Sequence, residues 1–364
     1  MPKPPSWLSP TLVVGLFLAA YLGVVLAGAH GNPLAFVRLG DGFAQGEPVG
    51  ELGYDGQFAY WLARDPRPSV VAPHLDVPAY RYQRLLYPLL AWALAAGQAA
   101  AVPWTLLLLN VAAQLAGTRL VESWLVAHGV SRWYALTYGL WAGLVLAVRL
   151  DLTEPLAYAL AAGALLALHR GRIGWSALAL GLALFAKETV LAFWLALVVW
   201  AVLHKHWRAL SYYLLAALPF AVFQGLLWRW FGALGLASGG YLATPFEWLP
   251  YMGLWRIATV SVPALVLLAV LLVPLIVAPS VWGLIAAVSR VARRDLAPVV
   301  WALGANAALL VVAPFSTFRE PLGIIRLATG LVLATVLFGA HVRSRRVLNY
   351  SLFWLAALAF AIRE

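Results

Sequence analysis

Long apolar runs, separated by short polar or glycine- and proline-bearing segments, recur along this chain from near residue 11 to near residue 362. An apolar run of about 18 residues or more is long enough to cross a bilayer as a helix. The pattern predicts spans near 11–28, 103–126, 133–148, 155–169, 174–186, 188–203, 209–230, 258–287, 297–314, 322–340 and 347–362. That is an all-α polytopic membrane fold of about 11 helices (10–12), several of them shorter than the roughly 20 residues that cross upright.

The longest stretch outside the spans is 29–84, and it holds six of the 14 acidic residues: Asp41, Glu47, Glu51, Asp55, Asp65 and Asp76. Within it Tyr54, Phe58, Trp61 and Leu62 recur at the spacing of a helix with one apolar face, which predicts a helix lying along the membrane surface. Asp65-Pro66-Arg67-Pro68 ends that helix. Residues 85–100 read as a second interfacial or re-entrant helix, since counting them as a span would invert every later loop. A further loop, 231–257, carries Tyr241, Phe246, Trp248, Tyr251 and Trp255, the composition of an interfacial aromatic belt. The first span ends in Ala27-Gly28-Ala29, which also suits a cleaved signal peptide, but its apolar run exceeds the usual signal core. No repeat of fixed period, low-complexity tail or soluble terminal domain is evident, so 1–364 reads as one transmembrane domain.

Composition agrees: 63% of residues are hydrophobic and only 11% charged, with a net charge of +11. With the N-terminus cytoplasmic, the clusters His169-Arg170-Gly171-Arg172, His204-Lys205-His206-Trp207-Arg208, Arg290 to Arg294 and Arg343-Ser344-Arg345-Arg346 all fall inside. That side then holds 13 Lys/Arg against 2 Asp/Glu and the other 12 against 12, so the whole excess lies on the cytoplasmic side. The basic balance therefore reflects topology and attraction to anionic membrane lipids, not nucleic acid. The absence of cysteine removes disulfides, thiolate metal sites and a cysteine nucleophile. The seven histidines are scattered without zinc-ligand spacing. No phosphate-binding glycine loop or Gly-x-Ser-x-Gly elbow is present.

Candidate chemistry sits at the ends of spans, where a carboxylate needs water, a cation or a substrate to compensate it. Asp55 lies between Gly53 and Gly56, and reads either as a helix N-cap or as a base or cation ligand whose flanking glycines let a bulky substrate approach. Asp151 and Glu154 are three apart, which places them on one helical face beside Pro155; they suit a capping pattern or an acceptor- or cation-binding pair. Lys187-Glu188 interrupts the apolar stretch from Ile173 to Leu203. Neighbours on a helix do not face one another, so Lys187 should reach a partner other than Glu188, either another protein acid or an anionic ligand. Arg319-Glu320-Pro321, with Arg326 one to two turns into the next span, repeats the pattern.

In order along the chain stand Tyr54-Asp55-Gly56-Gln57-Phe58, Arg81-Tyr82-Gln83-Arg84 with Tyr87-Pro88, the acids Asp151 and Glu154, and Lys187. This order resembles the GT-C superfamily of integral membrane glycosyltransferases, most closely the bacterial proteins of cell-surface glycopolymer formation. The resemblance covers residues 11–200, with 29–84 as the first extracytoplasmic loop, and is weaker over the variable helices of 201–364. It implies a bacterial inner-membrane, multi-pass enzyme with its active site on the extracytoplasmic side. The donor would be a polyprenyl-phosphate sugar and the acceptor a glycan or lipid of the envelope. By position Asp55 matches the catalytic acid, Asp151 and Glu154 the second acidic position, and Lys187 a residue meeting the lipid phosphate, which Arg81, Arg84 and Arg319 could also meet. Tyr54, Gln57, Glu188, Glu320 and Arg326 would support them. The resemblance names no definite cofactor and leaves a divalent metal open; the chain lacks the paired Asp-x-Asp and the C-terminal soluble domain of some relatives. A polyprenyl phosphate is a good leaving group, so the chemistry needs a base and positive charge but little acid help. A lipid-linked-sugar transporter or flippase, or a non-catalytic subunit of a glycopolymer assembly machine, would use similar charges.

Overall fold

The computed structural model describes residues 8–40 and 51–361; Asp41 and Glu47 lie outside these. Among the described residues the chain is helical throughout and has no strand. Five helices are long and apolar enough to cross a membrane: Pro10–Gly28, Ala99–Ala127, Trp207–Phe231, Val262–Ala292 and Pro321–His341. Four shorter apolar helices, Glu154–His169, Ile173–Ala186, Glu188–Leu203 and Pro298–Val311, pack among them. The apolar stretch of Pro321–His341 is 83% buried and that of Pro10–Gly28 only 17%, so the first is the hub and the second an outer helix. Val262–Ala292 turns Val266, Leu267 and Val270 outward, a bare aliphatic face suited to lipid and costly in water.

Three segments depart from the sequence pattern. The expected span at 133–148 is broken into Ala135–Gly139 and Ala142–Arg149. The Gln114 side-chain amide donates to the Gly139 carbonyl at 2.8 Å, and Trp141 takes an extended conformation, so the helical ladder stops there. The helix expected to lie on the membrane surface is Gly56–Arg64, and protein covers it on both sides. Phe58 and Leu62 pack with Val71, Leu75, Phe223 and Leu227, while Ala59, Tyr60 and Ala63 pack with Tyr87, Ala91 and Leu106. Its apolar residues thus face other helices and loops in place of lipid. The segment 347–362, whose last residue lies outside the described residues, forms the short pieces Arg345–Ser351, Leu352–Ala357 and Leu358–Ala361. The Leu86–Leu94 helix has nine residues, too few to cross.

Charged residues gather at both ends of the Glu154–His169 helix. Glu154, Lys187, Glu188 and Arg326 stand at one end, where their helices start or stop. At the other end His128 and His169 lie with ring centroids 4.6 Å apart, and His341 lies 6.2 Å from His128. The histidines are scattered in sequence, but these three meet. His341 also reaches Asp295 at 3.4 Å, and Arg343 donates to the His128 carbonyl at 3.1 Å. The basic segments at 170–172, 290–294 and 343–346 adjoin this end, and Leu8 is tied to it through Arg132.

Candidate active site

Backbone contacts fix Asp55 first. Gly53 has φ of +63°, and an added Cβ there would collide with the backbone of Gly40. At Gly56 a Cβ would strike the Leu150 carbonyl. The flanking glycines therefore admit the protein's own chain, not a substrate. Gln57 clamps the same loop, donating to the Leu52 carbonyl at 2.7 Å and accepting from the Gly40 N–H at 3.1 Å. Asp55 stands at the N-cap position of Gly56–Arg64, yet its side chain makes no capping bond. It is turned instead to two guanidinium groups, Arg81 at 3.0 Å and Arg326 at 3.1 Å.

Those pairs belong to a chain of charges lining one cavity of about 580 Å³. Arg81 holds Asp76 through Nε and Nη2, at 2.7 and 2.8 Å, and its guanidinium lies 4.2 Å from the Phe58 ring centre. Asp76 in turn accepts from the Tyr241 N–H at 3.1 Å, which brings residues 240–243 over the cavity. Arg84 pairs with Glu188, Nε to Oε2 at 2.8 Å, and also bonds the Tyr80 hydroxyl. Glu154 Oε1 accepts from Lys187 at 2.9 Å and from Arg326 Nε at 2.7 Å. Arg326 also donates to the Tyr54 hydroxyl at 3.0 Å, and that hydroxyl donates to Glu320 at 2.7 Å. Arg319 stands exposed at the rim with its guanidinium over the Phe315 ring and, among the described residues, no carboxylate partner.

Among the described residues the lining contains five acids, Asp55, Asp76, Glu154, Glu188 and Glu320, and five cations, Arg81, Arg84, Lys187, Arg319 and Arg326. Buried charges persist only when paired, and here each buried cation has at least one carboxylate. Burial opposes ionisation of Asp55, but Arg81, Arg326 and the nearby Arg84 outweigh it and hold the carboxyl well below the usual carboxylate range.

Asp151 is not in this lining. It has φ of +49°, outside the Glu154–His169 helix, so the two acids do not share a helical face; the left-handed turn sends Asp151 inward and Glu154 to the cavity. Asp151 is fully buried behind the wall, where burial pushes its pKa well above the ordinary value. Its Oδ1 lies 3.5 Å from the Tyr87 hydroxyl, and its Oδ2 has no partner among the described residues.

Of the remaining residues singled out from sequence, Arg81, Arg84, Lys187, Glu188, Arg319, Glu320, Tyr54 and Arg326 all line the cavity, and Gln57 reaches its wall. Lys187 faces Glu154, an internal ion pair. Asp76 and Tyr80 are site residues that pattern reading passed over; the only hint was their place within five residues of Arg81. Arg326 has the central position, bonded to three of the other groups. Its signal in sequence is the cost of an arginine one turn inside an apolar run. Among the described residues, no group of three or more His, Asp or Glu side chains is gathered to hold a metal. Comparison with known protein families, with curated proteins and with solved structures finds no match.

Proposed function

We propose that this chain is a membrane glycosyltransferase of the GT-C kind. It moves a sugar from a polyprenyl-phosphate donor to a glycopolymer or lipid acceptor of the bacterial envelope, on the face away from the basic clusters. The observation that carries this reading is one cavity, at the end of an apolar helical bundle, in which the Asp55 carboxylate is bonded to Arg81 and Arg326 and lined further by Arg84 and Lys187. The outward aliphatic faces of the long helices support residence in a membrane. Inner-membrane location and a cytoplasmic N-terminus belong to the proposal, as do about 11 crossings, which count the four shorter apolar helices and the broken segments at 133–148 and 347–362 besides the five long helices.

The reaction is a direct displacement. An acceptor hydroxyl gives its proton to Asp55 as its oxygen bonds the sugar's anomeric carbon, and the bond from that carbon to the phosphate oxygen breaks with its electron pair leaving on the phosphate. Arginine charges stabilise the departing phosphate. Arg319, exposed at the rim and, among the described residues, without a carboxylate partner, is the first of these cations an arriving phosphate meets. The Asp151 side chain takes no part as an acceptor ligand, since it does not reach the cavity.

The test is transfer itself. Purified protein in proteoliposomes, given radiolabelled polyprenyl-phosphate hexoses and pentoses with envelope lipid extract, should yield a labelled product of inverted anomeric configuration. Movement of the intact donor across the bilayer with no transfer would favour a transporter, and neither event would reject both readings.

A further inference from the structure

The buried cations of the cavity are not equally committed. Among the described residues Arg81 is the one cation bonded to Asp76, and Arg84 the one bonded to Glu188, so moving either would strand a buried carboxylate. Glu154, by contrast, is held twice, by Lys187 and by Arg326. Asp55 is also held twice, by Arg81 and by Arg326. Lys187 can let go of Glu154, but it does not touch Asp55. Arg326 is therefore the cation that touches Asp55 and can change partner without stranding either of its carboxylates.

Displacement at the anomeric carbon also moves charge in a defined direction. The donor is a phosphodiester with a single negative charge; on losing the sugar, the phosphate keeps the electron pair of the broken bond and gains a second charge. Asp55 accepts the acceptor's proton and loses its charge. Total charge is unchanged, but one negative charge leaves Asp55 and appears on the phosphate. A guanidinium placed between the two remains paired throughout, whereas a cation fixed on Asp55 would oppose the reaction.

Resting on the proposed glycosyl transfer, we infer that Arg326 is a ligand of the donor phosphate and that its passage from Asp55 to that phosphate releases Asp55 to act as the base. Before the donor enters, Asp55 faces the guanidinium groups of Arg81, Arg326 and Arg84; joined to these are Asp76 on Arg81, Tyr80 and Glu188 on Arg84, Tyr54 and Glu154 on Arg326, and beyond them Glu320 and Lys187. So held it is a poor proton acceptor. Once Arg326 turns to the phosphate, Arg81 alone remains bonded to Asp55, and Glu154 keeps Lys187. The base is switched on by the substrate whose leaving group needs it.

The acid limb of kcat/KM reports the free enzyme, and that of kcat reports the donor complex. In the proteoliposome assay with polyprenyl-phosphate sugar, kcat should fall with acid at a pH about one unit or more above the fall in kcat/KM, the size of one guanidinium neighbour. Arg326→Gln should move the kcat/KM limb up toward the kcat limb and lower kcat about 10²-fold. Polyprenyl phosphate alone should raise the melting temperature of the wild type but not of Arg326→Gln. Coincident limbs in the wild type, or full stabilisation of Arg326→Gln by polyprenyl phosphate, would overturn the inference while leaving the transfer reading intact. The wild-type limbs decide the matter even where the variant does not fold. Absence of transfer from every polyprenyl-phosphate sugar would overturn the functional reading and this inference with it.

Discussion

The cavity wall and the buried turn behind it each hold an aspartate, Asp55 in the first and Asp151 in the second, and a space of about 20 Å³ touches both. Asp55 is 30% exposed and bonded to two guanidinium groups. Asp151 is fully buried, and the nearest hydroxyl, that of Tyr87 at 3.5 Å, already gives its proton to the Leu106 carbonyl at 2.9 Å. Arginines keep the first ionised against the cost of burial. Burial pushes the pKa of the second well above the ordinary value, with Tyr87 and the more distant Arg149 too weak to reverse it. An acid near a helix end is thus not yet a functional acid; the cations the fold brings to it decide whether it carries charge into a cavity or holds its proton inside the protein.

The largest difference between the two aspartates should appear when each is neutralised in turn. Asp55→Asn should cost about 10²–10⁴-fold in transfer, because it removes the base. Folding should survive, since Arg81 keeps Asp76 and Arg326 keeps Glu154. Asp151→Asn should retain most activity. Transfer by Asp55→Asn within a few-fold of wild type, measured with radiolabelled donor, would remove Asp55 from the base role.

Next in size are the ion pairs that distinguish the wall from the turn. Arg84→Ala leaves the Glu188 carboxylate without its bonded cation and should destabilise by about 3–5 kcal/mol. Lys187→Ala should cost less, because Arg326 still neutralises Glu154. Thermal melts of the purified variants rank them. Lys187→Ala should also leave the donor KM unchanged; a raised KM with unchanged melting would show that Lys187 meets the phosphate and is not chiefly a structural partner.

The smallest effect is a pH dependence of opposite sign at the two aspartates. The folded pKa of Asp151 lies above its unfolded value, so the unfolded chain releases this proton first as pH rises, and stability is lost from the unfolded pKa, about 3.9, up through the folded one. Asp151→Asn should therefore match the wild type in melting temperature near pH 4 and exceed it at pH 7. Asp55, with its folded pKa lowered, contributes stability above its unfolded value and loses it as pH falls. A wild type that matches Asp151→Asn at pH 7 as well would mean that Asp151 is not held protonated.

Much of this was legible from the apolar pattern, because a membrane-length helix is a local property of about 20 residues. Pro10–Gly28 and Trp207–Phe231 begin and end within two residues of the runs seen in sequence. The break after Gly139 was not legible, since its cause is the Gln114 side chain on another helix. Nor was the separation of Asp151 from Glu154: three-residue spacing implies a shared face only if both lie on one helix, and the left-handed turn at Asp151 removes that condition. The cost of charge in an apolar run marked Lys187 and Arg326, but the cost is silent on which carboxylate repays it. That Glu154 joins both, and that Arg326 spans from Glu154 to Asp55, depends on contacts 172 and 271 residues apart in the chain.

The decisive measurement is a structure with polyprenyl phosphate bound. The phosphate should lie in the 580 Å³ cavity within hydrogen-bond reach of Arg326, with the Arg326 to Asp55 pair opened and the Arg81 pairs to Asp55 and Asp76 intact. A phosphate seated among the basic segments at the opposite end of the helices, with the Asp55 ion pairs unchanged, would contradict it.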